Sequence, residues 1–398
     1  MNIMKKHIYT TLIMLPYFFS VSGMLVLDGG DKKIIPLLLI SVIFSIIAFK
    51  KSTILNNLRH PLIWLIIISG LYTIFSYYYH GVSSRELRAL LGAGLFLMFF
   101  PYTYLSKKVL NWLILIGGVT LSINSLYFNV YMGVIRDAGY INPIPYATAS
   151  ALLGIISFSL LITEKNVKNK ITPFFSFLLF LIPIILSEAR GVWLAFIASF
   201  IIIGSISFFK NTPNKKKVSL TLLTTIITIS SGFYLFQENM VSRYNGTIYE
   251  IKKIHDGDYS TSFGLRLKMW QLAPDVISKK PILGHGQDHY KILKEKLDEK
   301  LISNELYHYT SSHYHNQILD KMVKSGFIGL ILYISILTYP LMNIKNMQEV
   351  DMYMVIGITT LLFVAGLTDV PFNHPQPLLL YLLFLVPICS RCKRVTND

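Results

Sequence analysis

The sequence predicts an all-α polytopic membrane protein with about 12 transmembrane helices and one large helical loop domain on the outer side. Three observations predict it. Apolar runs of membrane-spanning length follow one another along most of the chain. Basic residues gather in alternate short loops. A single long polar stretch, residues 237 to 320, interrupts the apolar pattern. Charged residues make up only 15% of the chain, against about 25% in a typical soluble domain. The net charge of +16 would suggest nucleic acid in a soluble protein. Here it suits topology and attraction to anionic lipid, and no RNA- or DNA-binding motif accompanies it. Membrane lipids are the expected surroundings, and no nucleic acid is expected as a partner.

In order, spans are expected at 9–28, 34–49, 61–79, 89–105, 109–131, 144–163, 171–187, 191–209, 218–236, 325–343, 352–370 and 375–390. A span needs roughly 20 apolar residues, with 17 a workable minimum. The last two are separated only by Val370 to His374, which requires a tight hairpin. The first apolar stretch lacks a small-x-small cleavage site and reads as a retained helix. With the N-terminus inside, the inner loops hold Lys5-Lys6, Lys50-Lys51-Arg59, Lys107-Lys108, Lys165-Lys168-Lys170, Lys210 with Lys215-Lys216-Lys217, Lys345, and Arg391-Lys393-Arg394. That is the positive-inside pattern, with both termini cytoplasmic. Three regions follow: an N-terminal bundle at 1–236, an outer loop domain at 237–324, and C-terminal helices with a cytoplasmic tail at 325–398. Cys389 and Cys392, without further cysteines or a nearby histidine, read as free thiols rather than a metal site.

A basic residue in a short outer loop opposes the topology rule and needs another reason to be there. Arg85, Arg88, Arg136 and Arg190 are candidates on that ground, with headgroup contact as the plain alternative. Glu188 and Arg190 sit at an outer boundary, where charge is costly unless paired, hydrated or used. Arg190 offers a planar fork suited to phosphate oxygens, and Gly191 permits close approach. The alternative is a local Glu188–Arg190 contact, although residues two apart do not face each other on a helix. Glu86 with Arg85 and Arg88 admits local pairing or contact with an anionic headgroup.

Within the polar stretch, Leu265 to Ala273 reads as a short amphipathic helix resting on the membrane surface. Lys291 to Leu301 reads as a second, more charged helix, and Pro281 to Gly286 as a turn between them. Arg266 shares a helical face with Trp270, so it either meets a phosphate or stacks on the indole. Arg243 is a weaker candidate of the same kind. In Ser312-His313-Tyr314-His315-Asn316, a neutral imidazole suits proton acceptance near neutral pH, and His315 is the candidate base. His313 and Asn316 are candidate substrate contacts, Asn316 through an amide that both donates and accepts. The histidine spacing matches no tight metal signature, and no metal is expected. A glycine-rich phosphate loop is absent from the sequence, so no ATP or other cofactor is expected. Gly326-Phe327-Ile328-Gly329 puts a thin face on a helix for close packing. Asp369, Asn373 and His374 read as turn residues, with an acid available to orient an imidazole.

Outer arginines beside one plausible base fit transfer of a glycan from a lipid diphosphate. The arginines would hold the departing diphosphate and the histidine would activate an acceptor hydroxyl. A transporter is the rival from another class, its charges lining a path; the outer bias of Arg190, Arg266 and His315 argues against it.

The sequence resembles the O-antigen ligase and polymerase superfamily of bacterial polysaccharide assembly. His315-Asn316, nine residues, then Gly326-Phe327-Ile328-Gly329 resembles the motif of its ligase members. Ala189-Arg190-Gly191-Val192-Trp193 resembles its Arg-Gly segment, and Gly284-His285-Gly286 its glycine-bearing loop segment. The resemblance implies an inner-membrane, metal-independent glycosyltransferase with a periplasmic active site. It implies a donor of O-antigen polysaccharide on undecaprenyl diphosphate and an acceptor sugar of lipid A-core. By position, the essential residues it implies are Arg190, Arg266 and His315. The shared layout leaves a polymerase that joins lipid-linked repeat units as the alternative, and a protein O-oligosaccharyltransferase as a lesser one.

Overall fold

The computed structural model describes residues 3–210 and 237–391, with Leu223, Ile226, Ser230 and Tyr234 between them. Apart from those four positions, the expected span at 218–236 lies outside the described residues, as do Lys215 to Lys217 and the tail from Cys392 onward. The side chains of Lys5 and Lys6 lie outside them too.

The protein is an all-helical polytopic membrane protein. Among the described residues, eight helical segments are long and apolar enough to cross a bilayer: His7–Val26, Gly30–Phe49, Pro61–His80, Lys107–Tyr131, Pro143–Thr163, Val167–Leu186, Arg190–Lys210 and Gln317–Asn346. Each overlaps an expected span. Three further expected spans coincide with shorter helices, Ser84–Phe99, Glu349–Ala365 and Pro375–Cys389. Local chemistry sets several starts. Pro61, Pro143 and Pro375 open their helices, where proline's missing N–H costs nothing. Asn142 accepts from the amide of Ile144 at 3.0 Å, and Asn166 from that of Lys168 at 3.0 Å, as N-caps.

Pro143–Thr163 is the central helix, buried on every face and packed by the helices that follow it. Its run of Ala147, Ala149, Ser150, Ala151 and Gly154 lets neighbouring backbones approach, which is how helices associate where lipid is as apolar as leucine. Its hydroxyls cost little: Ser150 and Ser159 donate to the carbonyls of Tyr146 and Ile155 at 2.9 and 2.8 Å. Pro375–Cys389 is likewise buried nearly all round, which explains an apolar run without a polar face.

Four helices, Gln237–His255, Ser262–Lys279, His289–Asp298 and Asn304–Thr310, lie between the two apolar regions. Met269, Ala273 and Val276 share one helical face and form a small core with Leu306, Tyr314 and Val323. This corrects the expectation of a membrane-surface helix at 265–273: its apolar stripe is covered by protein. The second expected helix starts at His289 and ends at Asp298, leaving Leu301 exposed. The long polar helix Gln237–His255 was not anticipated, because it has no sustained apolar stripe to announce it.

One break locks this layer to the bundle. The helix from Gln317 to Met342 is interrupted at Gly326, which has φ 61°. The segment Pro281–Leu283 crosses the break. The amide of Phe327 donates to the Pro281 carbonyl at 2.9 Å, and the amide of His285 to the Val323 carbonyl at 2.8 Å. Backbone groups freed by the break are therefore satisfied by the loop. A Cβ on Gly326 would stand 2.2 Å from the Ile282 oxygen, and one on Gly284 would stand 2.6 Å from the Gly326 nitrogen. The Gly-x-x-Gly motif, read as a helix-packing face, thus serves at Gly326 as a crossing point for a loop. We predict that Gly326→Ala, which adds left-handed strain of about 1–2 kcal/mol to this collision, lowers the thermal unfolding temperature of the purified protein. Gly246→Ala, in a helix with nothing within 4 Å of the new methyl, leaves it unchanged or raises it.

A candidate active site at one end of the bundle

The helix ends carrying the candidate residues converge. Arg190 opens one span, Arg136 and Asn142 precede another, and Asp369 lies in the hairpin after Glu349–Ala365. Gln317 ties that hairpin to the start of its own helix. Its amide donates to Gly366 at 2.7 Å, and its side-chain oxygen accepts from Phe372 at 2.8 Å. Gly191 permits the closest approach, since a Cβ there would lie 2.1 Å from the Thr368 hydroxyl.

These elements enclose a cavity of about 370 Å³ lined by Arg136, Glu188, Arg190, Arg243, Arg266 and His315, with Glu250, Tyr309 and Asp369 beside them. All three residues expected to be essential thus share one cavity. Glu188 and Arg190 do not pair with each other. Arg190 donates to both oxygens of Glu250 at 3.1 Å and to Thr247 at 2.7 Å, while Arg243 Nε lies 3.0 Å from Glu188 Oε2. Arg243, Thr247 and Glu250 follow helical spacing, so one face of Gln237–His255 crosses over the start of the arginine-bearing span.

The cavity remains a cation-rich environment for an anion. Burial and the neighbouring Arg136 lower the pKa of Arg243, opposed by Glu188. Arg266 forms no ion pair among the described residues, and its Nε is buried without a hydrogen-bond partner. Trp270 is engaged elsewhere, donating to the Tyr314 carbonyl at 3.0 Å. Among the described residues, Arg136 reaches a backbone carbonyl, that of Ser187, at 3.4 Å and forms no ion pair.

His315 sits against Asp369. Its Nδ1 is 3.3 Å from Asp369 Oδ1, and its ring stacks on Tyr309 with centroids 4.8 Å apart. His374 Nε2 approaches the other carboxylate oxygen at 3.4 Å. Asp369 is buried, which alone would raise its pKa; the imidazoles of His315 and His374 instead bring it below the ordinary carboxylate range. The carboxylate lies within ion-pair distance of Nδ1, although the approach does not meet hydrogen-bond geometry among the described residues; an acid there favours the tautomer protonated on Nδ1. His313, His315 and Asp369 also place one ligand atom each within 4.8 Å of one another, so this is the group that could hold a metal ion among the described residues.

Backbone strain gathers at the same place. Of the non-glycine residues with left-handed φ among the described residues, Arg136 (67°), Glu188 (51°) and His315 (45°) all line this cavity. Such conformations cost about 1–3 kcal/mol each and persist where surroundings over-determine them, commonly at functional sites.

Other expected contacts lie elsewhere. Arg88 pairs with Asp31 at 3.2 Å, and Glu86 with Lys321 at 2.5 Å, so the expected local pairing among 85, 86 and 88 is not formed. Asn316 caps a helix, accepting from Ile318 and Leu319 at 3.0 and 3.2 Å. Arg85 and His313 line a second cavity behind His315. Glu250 and Tyr309 were missed by sequence reasoning. The spacing of Arg243, Thr247 and Glu250 was the available signal for the first; none marked the second.

Burial lowers the pKa of His313 to about 3, well below the value near 6.5 of an unfolded histidine. Between those values the unfolded chain binds the proton and the folded one does not, so stability is complete above about pH 6.5 and is lost as pH falls toward 3. Unfolding temperatures measured from pH 7 to pH 4 should therefore fall, and fall less steeply in His313→Gln.

With the geometry in place, comparison with known proteins is direct. Residues 175–334, which hold Arg190, Arg243, Arg266 and His315, match the family model described as O-Antigen ligase. The chain is similar to a protein of Haemophilus influenzae named only as uncharacterized, at 25% identity over 87% of this chain and 88% of that one. It is similar to an O-antigen ligase of Escherichia coli strain K12, at 26% identity over 56% of this chain and 52% of that one. Residues 175–334 are thus similar to the O-antigen ligase family.

Proposed function

We propose that the protein is an O-antigen ligase: a metal-independent, inverting glycosyltransferase that moves O-antigen polysaccharide from undecaprenyl diphosphate to a sugar hydroxyl of lipid A-core at the periplasmic face. The observation that carries this reading is the convergence of Arg190, Arg266 and the His315–Asp369 pair on one cavity. The match to an O-antigen ligase family model supports it at the level of glycan transfer.

In this mechanism the diphosphate lies among the arginines. Arg266, unpaired, and Arg136 offer donors directly; Arg190 offers those that Glu250 does not use. The acceptor hydroxyl attacks the anomeric carbon from the side opposite the diphosphate. A new C–O bond forms, the bond to the diphosphate oxygen breaks, and the proton passes to Nε2 of His315. Asp369 stabilises the imidazolium that results. Charge grows on the leaving diphosphate as the bond breaks, so fixed arginines favour the transition state over the ground state. The activated leaving group supplies the driving force, and the transfer step needs no ATP. Positive-inside bias supports an outer position for this end of the bundle, and the lipid tails of both substrates would then share one leaflet.

His315→Ala in the purified, reconstituted protein should lower transfer about 100-fold or more, with donor binding retained. Asp369→Asn should lower turnover less, because the base remains but its tautomer is no longer held. Arg190→Ala should raise the donor KM. Wild-type turnover in a well-folded His315→Ala protein would remove the base from the mechanism. Activity restored after chelation only by a particular metal would replace it with a metal centre at His313, His315 and Asp369. Mass analysis of the product distinguishes the alternatives: a glycan on lipid A-core for a ligase, a longer lipid-linked glycan for a polymerase.

A further inference from the structure

Behind His315 lies a second cavity of about 320 Å³, between the start of Ser84–Phe99 and the polar helical layer. It is at the small end of the roughly 300–1,000 Å³ range of ligand sites. His313 and His374 form one wall, and both approach the same Asp369 carboxylate that holds His315, at 3.7 and 3.4 Å. The rings of His313 and His315 are 4.1 Å apart between centroids. The two cavities thus face each other across one imidazole–carboxylate cluster.

The lining is built for a polar molecule. His289 is 2% exposed and lines the cavity, yet neither ring nitrogen meets a hydrogen-bond partner among the described residues. Leaving a buried polar group unsatisfied costs about 1–3 kcal/mol, and the cost is recovered when a ligand supplies the partner. Burial holds its pKa near 3, so the ring is neutral, with one donor and one acceptor, as a sugar hydroxyl requires. The charged residues divide. Lys321 and Lys324 are neutralised by Glu86 and Asp320 at 2.5 and 2.9 Å. Arg85, on the exposed rim, forms no ion pair among the described residues. It is the lining cation left for an anion.

We propose that this second cavity is the acceptor subsite. In it, His289 binds a sugar hydroxyl, Arg85 binds an anionic substituent on that sugar or its neighbour, and the nucleophilic hydroxyl is presented past His313 to His315. The ligand class is a sugar carrying phosphate or carboxylate. The inference rests on the glycan-transfer reading and adds to it a site that is separate from the arginine cavity. Arg85 is a specificity-determining contact here, distinct from the catalytic His315.

The test uses the full-length protein in liposomes with donor and acceptor varied separately. A charge-assisted contact is worth about 1.5–3 kcal/mol, so Arg85→Gln should raise the acceptor KM about ten-fold or more and leave donor KM and turnover at saturation near wild type. Removing the phosphate groups from the acceptor, or reducing its carboxylates in a separate arm, should raise the wild-type KM by the same factor. The arm that does so names the anion, and in it the difference between wild type and Arg85→Gln should vanish. An unchanged acceptor KM in Arg85→Gln, a parallel rise in donor KM, or a difference that survives removal of both anions would overturn the subsite while leaving the ligase reading intact. No transfer by the folded wild-type protein would overturn both.

Discussion

A carboxylate buried at the end of a membrane bundle must be answered, and the answer given to Asp369 organises this end of the molecule. Taking an ion out of water costs several kcal/mol unless partners replace the lost hydration. Here the partners are imidazoles, His315 on one oxygen and His374 on the other. Meeting them requires the 366–374 hairpin, the start of the Gln317–Met342 helix and the His313–His315 turn to be close together. His315 accepts a left-handed backbone there. On the proposed reading, the same carboxylate favours the tautomer that leaves Nε2 free to take a proton.

The second organising feature is the crossed pair of ion bridges, Arg190 to Glu250 and Arg243 to Glu188. They bind the polar helical layer to the span that begins at Arg190, and they do so with groups a diphosphate would contact. Each arginine keeps donors in reserve, because a guanidinium has five N–H groups in a fixed fork. On the proposed reading, stability and anion recognition draw on the same side chains. Arg266 stands apart, with a buried Nε that has no hydrogen-bond partner among the described residues. The loop from Pro281 to Leu283, wedged into the break at Gly326, helps keep this layer registered on the bundle through backbone hydrogen bonds and through His80 and Tyr72, which approach the Leu283 carbonyl.

Much of this was legible in the sequence. Membrane helices announce themselves by length and apolarity, which do not depend on neighbours. The positions of Arg190, Arg266 and His315 followed from chemistry at expected boundaries and from the resemblance that carried them. What was not legible depended on which elements meet. Asp369 reads as a turn residue or as an acid for some imidazole, and only the folded hairpin shows that His315 is beside it; Glu188 pairs with an arginine 55 residues away rather than its neighbour two residues on. Asn316 belongs to the same His-Asn pair as the base yet spends its side-chain oxygen on a helix cap. The Leu265–Ala273 stripe has one pattern whether lipid or protein covers it; periodicity reports a buried face and is silent on what buries it. Cavity walls made from six separate segments have no sequence signature at all.

The central claim is that donor diphosphate occupies the arginine cavity within reach of the Asp369-held imidazole. A structure of the protein bound to an undecaprenyl-diphosphate analogue tests it most directly. The account predicts phosphate oxygens at hydrogen-bond distance from Arg190 and Arg266, with the anomeric position beside Nε2 of His315. Diphosphate bound at the opposite end of the bundle, or in the cavity lined by Arg85 and His289, would contradict it.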